Sequence, residues 1–194
     1  MTLVPFATVD RSALRWLRTT DDPPAFTLLS GDQPIELLTW AKATGSLARA
    51  ETSDSRWTLK RMGFLAPHLT LRVEGETADS ARITRHTDTV ARHVGENYHR
   101  IDFAGGVPYR FHRAGVQVPA WQITTDDRTE IAHVEPVREG RKLTGAAVLV
   151  SPEGETRPEL AAVLAFAWYF VVLAWFEDEI LLPLERVMTD LELR

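Results

Sequence analysis

Four of the six histidines, His86, His93, His99 and His112, fall within one short stretch that also carries Asp88, Glu96 and Asp102. Zinc or iron would need two or three imidazoles converging from one face. The spacings of seven, six and thirteen match neither a helical i,i+4 pair nor an i,i+2 pair on a strand. The pattern therefore predicts histidines on strand surfaces, with no metal centre and no cofactor. Nucleophilic chemistry finds no better footing. There is no cysteine, none of the serines sits in a Gly-x-Ser-x-Gly elbow, and no Ser, His and Asp follow a known triad order. Gly105-Gly106 and Gly140 read as turns, because neither leads into the helix start that cradles a phosphate. No catalytic residue emerges.

The basic side chains Lys60, Arg61, Arg72, Arg82, Arg85, Arg110 and Arg113 support two readings. Those sharing one sheet face could bind an anion such as a lipid headgroup. Alternatively they form the wet half of alternating strands, paired with the numerous acids. A formal net charge of -5 favours pairing and argues against nucleic acid as a partner.

The elements that would position these residues are legible as a change of period. Asp10 to Arg18 places Leu14, Trp16 and Leu17 together behind a capping aspartate, which predicts a short N-terminal helix over 10–18. From Phe26 onward the period is 2. Trp57, Leu59 and Arg61 alternate with Thr58 and Lys60, and Leu69, Leu71 and Val73 alternate with Thr70 and Arg72. Strand-like runs fall at roughly 26–29, 35–41, 46–52, 56–62, 68–74, 80–86, 89–94, 97–103, 108–114, 119–125, 129–137 and 142–150, divided by turn signals such as Glu74-Gly75-Glu76 and Glu139-Gly140. About a dozen short strands joined by tight turns describe an antiparallel meander over 26–150, which must close to remove its edges.

Residues 160–176, LAAVLAFAWYFVVLAWF, carry no charge, glycine or proline. A helix apolar all the way round must be surrounded by something apolar. Thr156 and Glu159 stand at capping-box spacing with Pro158 between them, so a helix over 158–176 is predicted to begin near residue 157. At ~1.5 Å per residue it would span about 28 Å, close to the thickness of a bilayer core. The chain's own sheet offers the other environment. A barrel of about a dozen strands is too wide for side chains alone to fill, and one apolar helix along its axis would do so. Five alanines that allow close approach, and aromatic residues placed mid-run, favour the barrel. The tail 180–194 follows as an amphipathic helix, with Leu184, Val187, Met188 and Leu191 at helical spacing.

This order of elements, over roughly residues 26–176, resembles the tubby-like barrel shared by tubby C-terminal domains, phospholipid scramblases and the LURP-one-related proteins. Local echoes are Trp57-Thr58-Leu59-Lys60-Arg61 followed by Gly63, the aromatic spacing from Tyr109 to Trp121, and Glu130-Ile131-Ala132-His133-Val134. The resemblance implies a hydrophobic helix threading the barrel axis. It also implies anionic-lipid binding by basic residues on neighbouring strands, for which Lys60, Arg61 and Arg72 correspond by location. Scramblase features are missing: there is no cysteine cluster and no proline-rich N-terminus, and Glu177-Asp178-Glu179 lacks the ligand alternation of a calcium loop.

The sequence thus predicts a single domain over 1–194, mainly β with α. It would be a closed antiparallel β-barrel of about 12 strands around a central C-terminal hydrophobic helix. The expected function is non-enzymatic: a lipid- or anion-binding or scaffold module. The alternatives are a calycin-like small-molecule carrier or all-β enzyme, and a C-terminally membrane-anchored β domain. Expected partners are an anionic lipid or small molecule, a peripheral membrane contact, and a second copy through the tail. The first thirty residues lack a signal-peptide pattern, which predicts a cytoplasmic protein.

Overall fold

The computed structural model describes residues 2–63, 67–87, 97–114 and 120–192, the side chains of Thr87, Asn97 and 177–192 excepted. Twelve strands form one closed antiparallel barrel: β1 (Ala13–Asp21), β2 (Pro24–Ser30), β3 (Gln33–Trp40), β4 (Ala48–Glu51), β5 (Arg56–Met62), β6 (His68–Val73), β7 (Ala81–Thr87), β8 (Asn97–Phe103), β9 (Tyr109–Ala114), β10 (Ala120–Thr125), β11 (Glu130–Glu139) and β12 (Lys142–Val150). Each pairs with its neighbours in sequence, and β1 closes the ring on β12 through Ala13↔Leu149 to Leu17↔Gly145. No strand edge is left open among the described residues.

The predicted helix over 10–18 is replaced by β1. Leu14 and Trp16 are two residues apart and both buried, while Arg15 and Leu17 between and beyond them are exposed. That is the period of a strand, and pairing on both sides outweighs the local capping signal. The N-terminal helical turn lies earlier, a 3-10 helix at Phe6–Thr8. The run predicted at 89–94 lies outside the described residues. Among the described residues the barrel has twelve strands, β1 included.

Chain closure depends on a close backbone approach. A Cβ at Gly145 would lie 2.1 Å from the Trp16 carbonyl oxygen, so only glycine lets β1 and β12 meet there. At the β11–β12 hairpin Gly140 has a φ of +60°, which suits glycine in a two-residue turn.

After β12, Ser151 caps a four-residue helix, α1 (Pro152–Glu155), accepting from the Gly154 N–H at 3.0 Å. The long helix α2 then runs from Leu160 to Glu192, beginning slightly later than predicted and continuing past the expected end at Phe176 through the segment read as a separate tail. The expected capping box does not form. The Glu159 carboxylate instead accepts from the Tyr109 hydroxyl across the barrel mouth, and Thr156 bonds back to the Glu153 carbonyl. Burial first, and then this bond, push the Tyr109 phenol well above its ordinary value.

Inside the barrel α2 is enclosed by protein. Leu160, Val163, Phe166, Ala167, Trp168, Tyr169 and Val172 are fully buried. Two successive residues face β1 to β3 and the third faces the opposite wall. Trp168 stacks on Trp16 of β1 at 6.1 Å and meets Phe26 of β2 edge-on, Tyr169 stacks on Trp40 of β3 at 5.6 Å, and Phe170 meets Phe111 of β9 and Trp121 of β10. Small residues on the walls, Ala48, Ala50, Ala132 and Ala146, leave room for these rings. The helix enters at the mouth bearing Tyr109 and leaves at the opposite one, where Trp175 donates to the Arg141 carbonyl and Tyr169 to that of Ser46. The stretch that an anchor would place in a bilayer is the barrel's own core. Among the described residues, no helix is long and apolar enough to cross a membrane.

Candidate functional site

Strand alternation separates the three basic residues expected to act together. Buried Trp57 and Leu59 fix the inner face of β5, so Arg61 shares their parity and Lys60 points outward. On β6 the inner positions are Leu69 and Leu71, which places Arg72 on the outer face. Arg72 is engaged there, 2.9 Å from Asp79, which also lies 3.5 Å from Arg82. These guanidiniums, that of Arg72 first, hold the Asp79 carboxyl below its usual range. Arg110 likewise pairs with Asp126 at 3.1 Å on the outer face and lies over the Tyr98 ring. Arg72, Arg82 and Arg110 are thus each paired with an acid on the outer face.

Arg61 belongs to a different constellation. It lines a cavity of about 280 Å³ at the exit mouth, together with His68, Arg85, His99, Phe170 and Leu173. The strand register brings these together. Arg61 stands opposite Leu69, Leu69 opposite Ile83, and Arg85, one inward step beyond Ile83, stands opposite His99. The helix completes the floor as it leaves the barrel. Phe170 lies 4.4 Å from the His99 ring, and Leu173 and Ala174 follow along the same cavity.

His99 is held neutral. Burial first, then the nearby Arg85 charge, bring its pKa down to about 4, against a small opposing effect of the Phe111 backbone. The cavity thus presents two guanidiniums and two imidazoles, that of His99 uncharged, above an apolar floor. No carboxylate, serine or threonine lines it among the described residues. Such a lining can hold an anion in forked hydrogen bonds from the guanidiniums.

His86 and His112 do not join His99. His86 faces outward against Tyr98 and its ring nitrogen lies 3.0 Å from the Thr84 hydroxyl, while His112 stands opposite Gln122 on the outer side of β9. His93, Asp88 and Glu96 lie outside the described residues, and among those described no three candidate ligands gather. A larger groove of about 450 Å³ beside the β4–β5 turn is lined by Thr52, Asp54 and Glu74. Within it Thr52 donates to Asp54 at 2.8 Å and accepts from the Ser55 N–H.

Arg85 and His99 were visible in the sequence only as members of separate groups, one among the basic residues and one among the histidines. Their meeting requires the β7–β8 register. Compared with known proteins, the chain matches no family model, no curated protein and no solved structure.

Proposed function

We propose that this protein is a non-enzymatic barrel that binds a small amphiphilic anion at the exit mouth. The observation that carries the reading is the convergence of Arg61 and Arg85 on an apolar-floored cavity beside the helix. The guanidiniums would take the phosphate or carboxylate group in forked hydrogen bonds, and Phe170 and Leu173 would cover the apolar part. The element order supports kinship with the tubby-like proteins, with a cytoplasmic location and only peripheral contact with any membrane. In that kinship the ligand group would be a lipid headgroup.

A second reading, a small-molecule carrier, is favoured by a specific feature: two imidazoles, His68 and His99, line a cavity left beside the plug. The two readings differ in the source of the anion. Thermal unfolding in the presence of inorganic phosphate, octyl phosphate and phosphatidylserine vesicles separates them. Octyl phosphate is expected to raise Tm by roughly 5–10 °C near saturation, since binding at about 100 times Kd adds ~2.7 kcal/mol and this chain length converts that at about 2–4 °C per kcal/mol. Inorganic phosphate should do less, and Arg61→Ala/Arg85→Ala should abolish the shift. Co-sedimentation with the vesicles would favour the headgroup reading, and free octyl phosphate binding without it the carrier. If none of the three probes binds, the proposal is wrong.

A further inference from the structure

On the far side of the molecule from Arg61, the outer face of β11, β12 and β1 is apolar along its centre and antisymmetric in charge across it. Leu17, Val137 and Leu149 are 48%, 50% and 54% exposed, and they lie on three adjacent strands. The register sets them in rows. Gly145 is flanked by Leu17 and Val137, Ala147 by Arg15 and Glu135, and Leu149 by Ala13 and His133. The middle strand therefore offers only small or aliphatic residues, with a cation on one side and an anion on the other.

We propose that this face pairs with the same face of a second copy across a twofold axis running along β12. Rotation about that axis exchanges the two flanks. Each Arg15 then meets the Glu135 of the other copy, each Leu17 meets Val137, and Ala147 and Leu149 meet themselves. The patch is thus self-complementary in both charge and apolarity, as an isologous contact requires. Two such sheets can approach to ~10 Å with strands nearly aligned, because Gly145 and Ala147 raise nothing above the surface. The present partners are weakly held. Arg15 bonds to the fully exposed Asp32 at 2.9 Å, and Glu135 to His133 at 3.2 Å, so exchange costs little. A second copy fits better than a foreign partner because one arrangement matches the Leu17–Val137 and Arg15–Glu135 rows at once.

Sedimentation across a concentration series, with folding checked by circular dichroism, tests the contact. Arg15→Glu and Glu135→Arg should each weaken dimerisation by about tenfold or more, since each places like charges opposite one another twice. The double exchange R15E/E135R should restore it. The absence of native cysteine supplies a second measurement. Ala147→Cys, on the axis, should cross-link two chains under mild oxidation, whereas Lys60→Cys on the opposite wall should not. A monomer at every concentration up to about 1 mM, the weak end of specific association, would overturn the proposal. So would a dimer indifferent to the charge reversals, a double exchange that fails to restore it, or a dimer lost only on removing 180–194.

Discussion

Glu36 is a carboxyl group placed at a cost, inside the barrel. It is fully buried on the inner face of β3, opposite Leu28, and among the described residues neither carboxylate oxygen has a hydrogen-bond partner. Burial raises its pKa well above the ordinary value, so the folded protein holds a proton that the unfolded chain has released. Below about pH 4.3 both states are protonated and Glu36 contributes no pH dependence. Above that, stability falls with rising pH by up to about 1.4 kcal/mol per pH unit until the buried group itself ionises. Glu36→Gln should therefore be more stable than the parent at pH 7 and nearly equal to it at pH 4, as paired unfolding curves across that range would show. An E36Q protein with an unchanged pH profile would contradict the buried, unpaired carboxyl. Nothing in the sequence singles Glu36 out. It lies within a strand run whose alternation is broken by a bulge between Leu28 and Leu29, and that irregularity buries Ile35 and Glu36 together. The split of Lys60 from Arg61, by contrast, was legible, because Trp57 and Leu59 already declare which parity faces inward.

At the scale of elements, alternation located most of the strands and their turns, while local signals misplaced the two ends of the fold. The stretch from Asp10 reads as a helix because Leu17 adds an apolar residue to the outer face and hides the period set by Leu14 and Trp16. Only the pairing with β12 reveals it, and pairing partners more than a hundred residues apart leave no local trace. Thr156 and Glu159 mimic a capping box for a similar reason, since the competing partner of Glu159 is Tyr109, fifty residues earlier. The β1–β12 seam also makes an element-level prediction. Gly145→Ala would drive a methyl group into the Trp16 carbonyl and force the closing strands apart. A loss of about 1–3 kcal/mol or more, the range for overpacking, is expected in denaturant unfolding. Ala147→Gly on the same strand, where the side chain is exposed, should cost much less.

For the whole molecule, the helix and the barrel form one cooperative unit, because the inner faces of all twelve strands and the buried half of α2 share a single core. Deleting 158–194 should leave no folded barrel, visible as loss of a cooperative thermal transition. A stable truncated protein with native strand content would show that the barrel has another means of filling its interior. The helix that enters one mouth and leaves by the other also imposes an order in time. During synthesis all twelve strands emerge before the residues that fill them, and β1 must wait for β12 before its second edge is paired. Until residue 160 and its successors clear the ribosome, Trp16, Phe26 and Trp40 have no interior to enter, and the growing chain presents unpaired edges and exposed rings to its surroundings. Folding is therefore late relative to the emergence of the strands and is dominated by distant contacts, since neither the β1–β12 seam nor the core can form before α2 joins them.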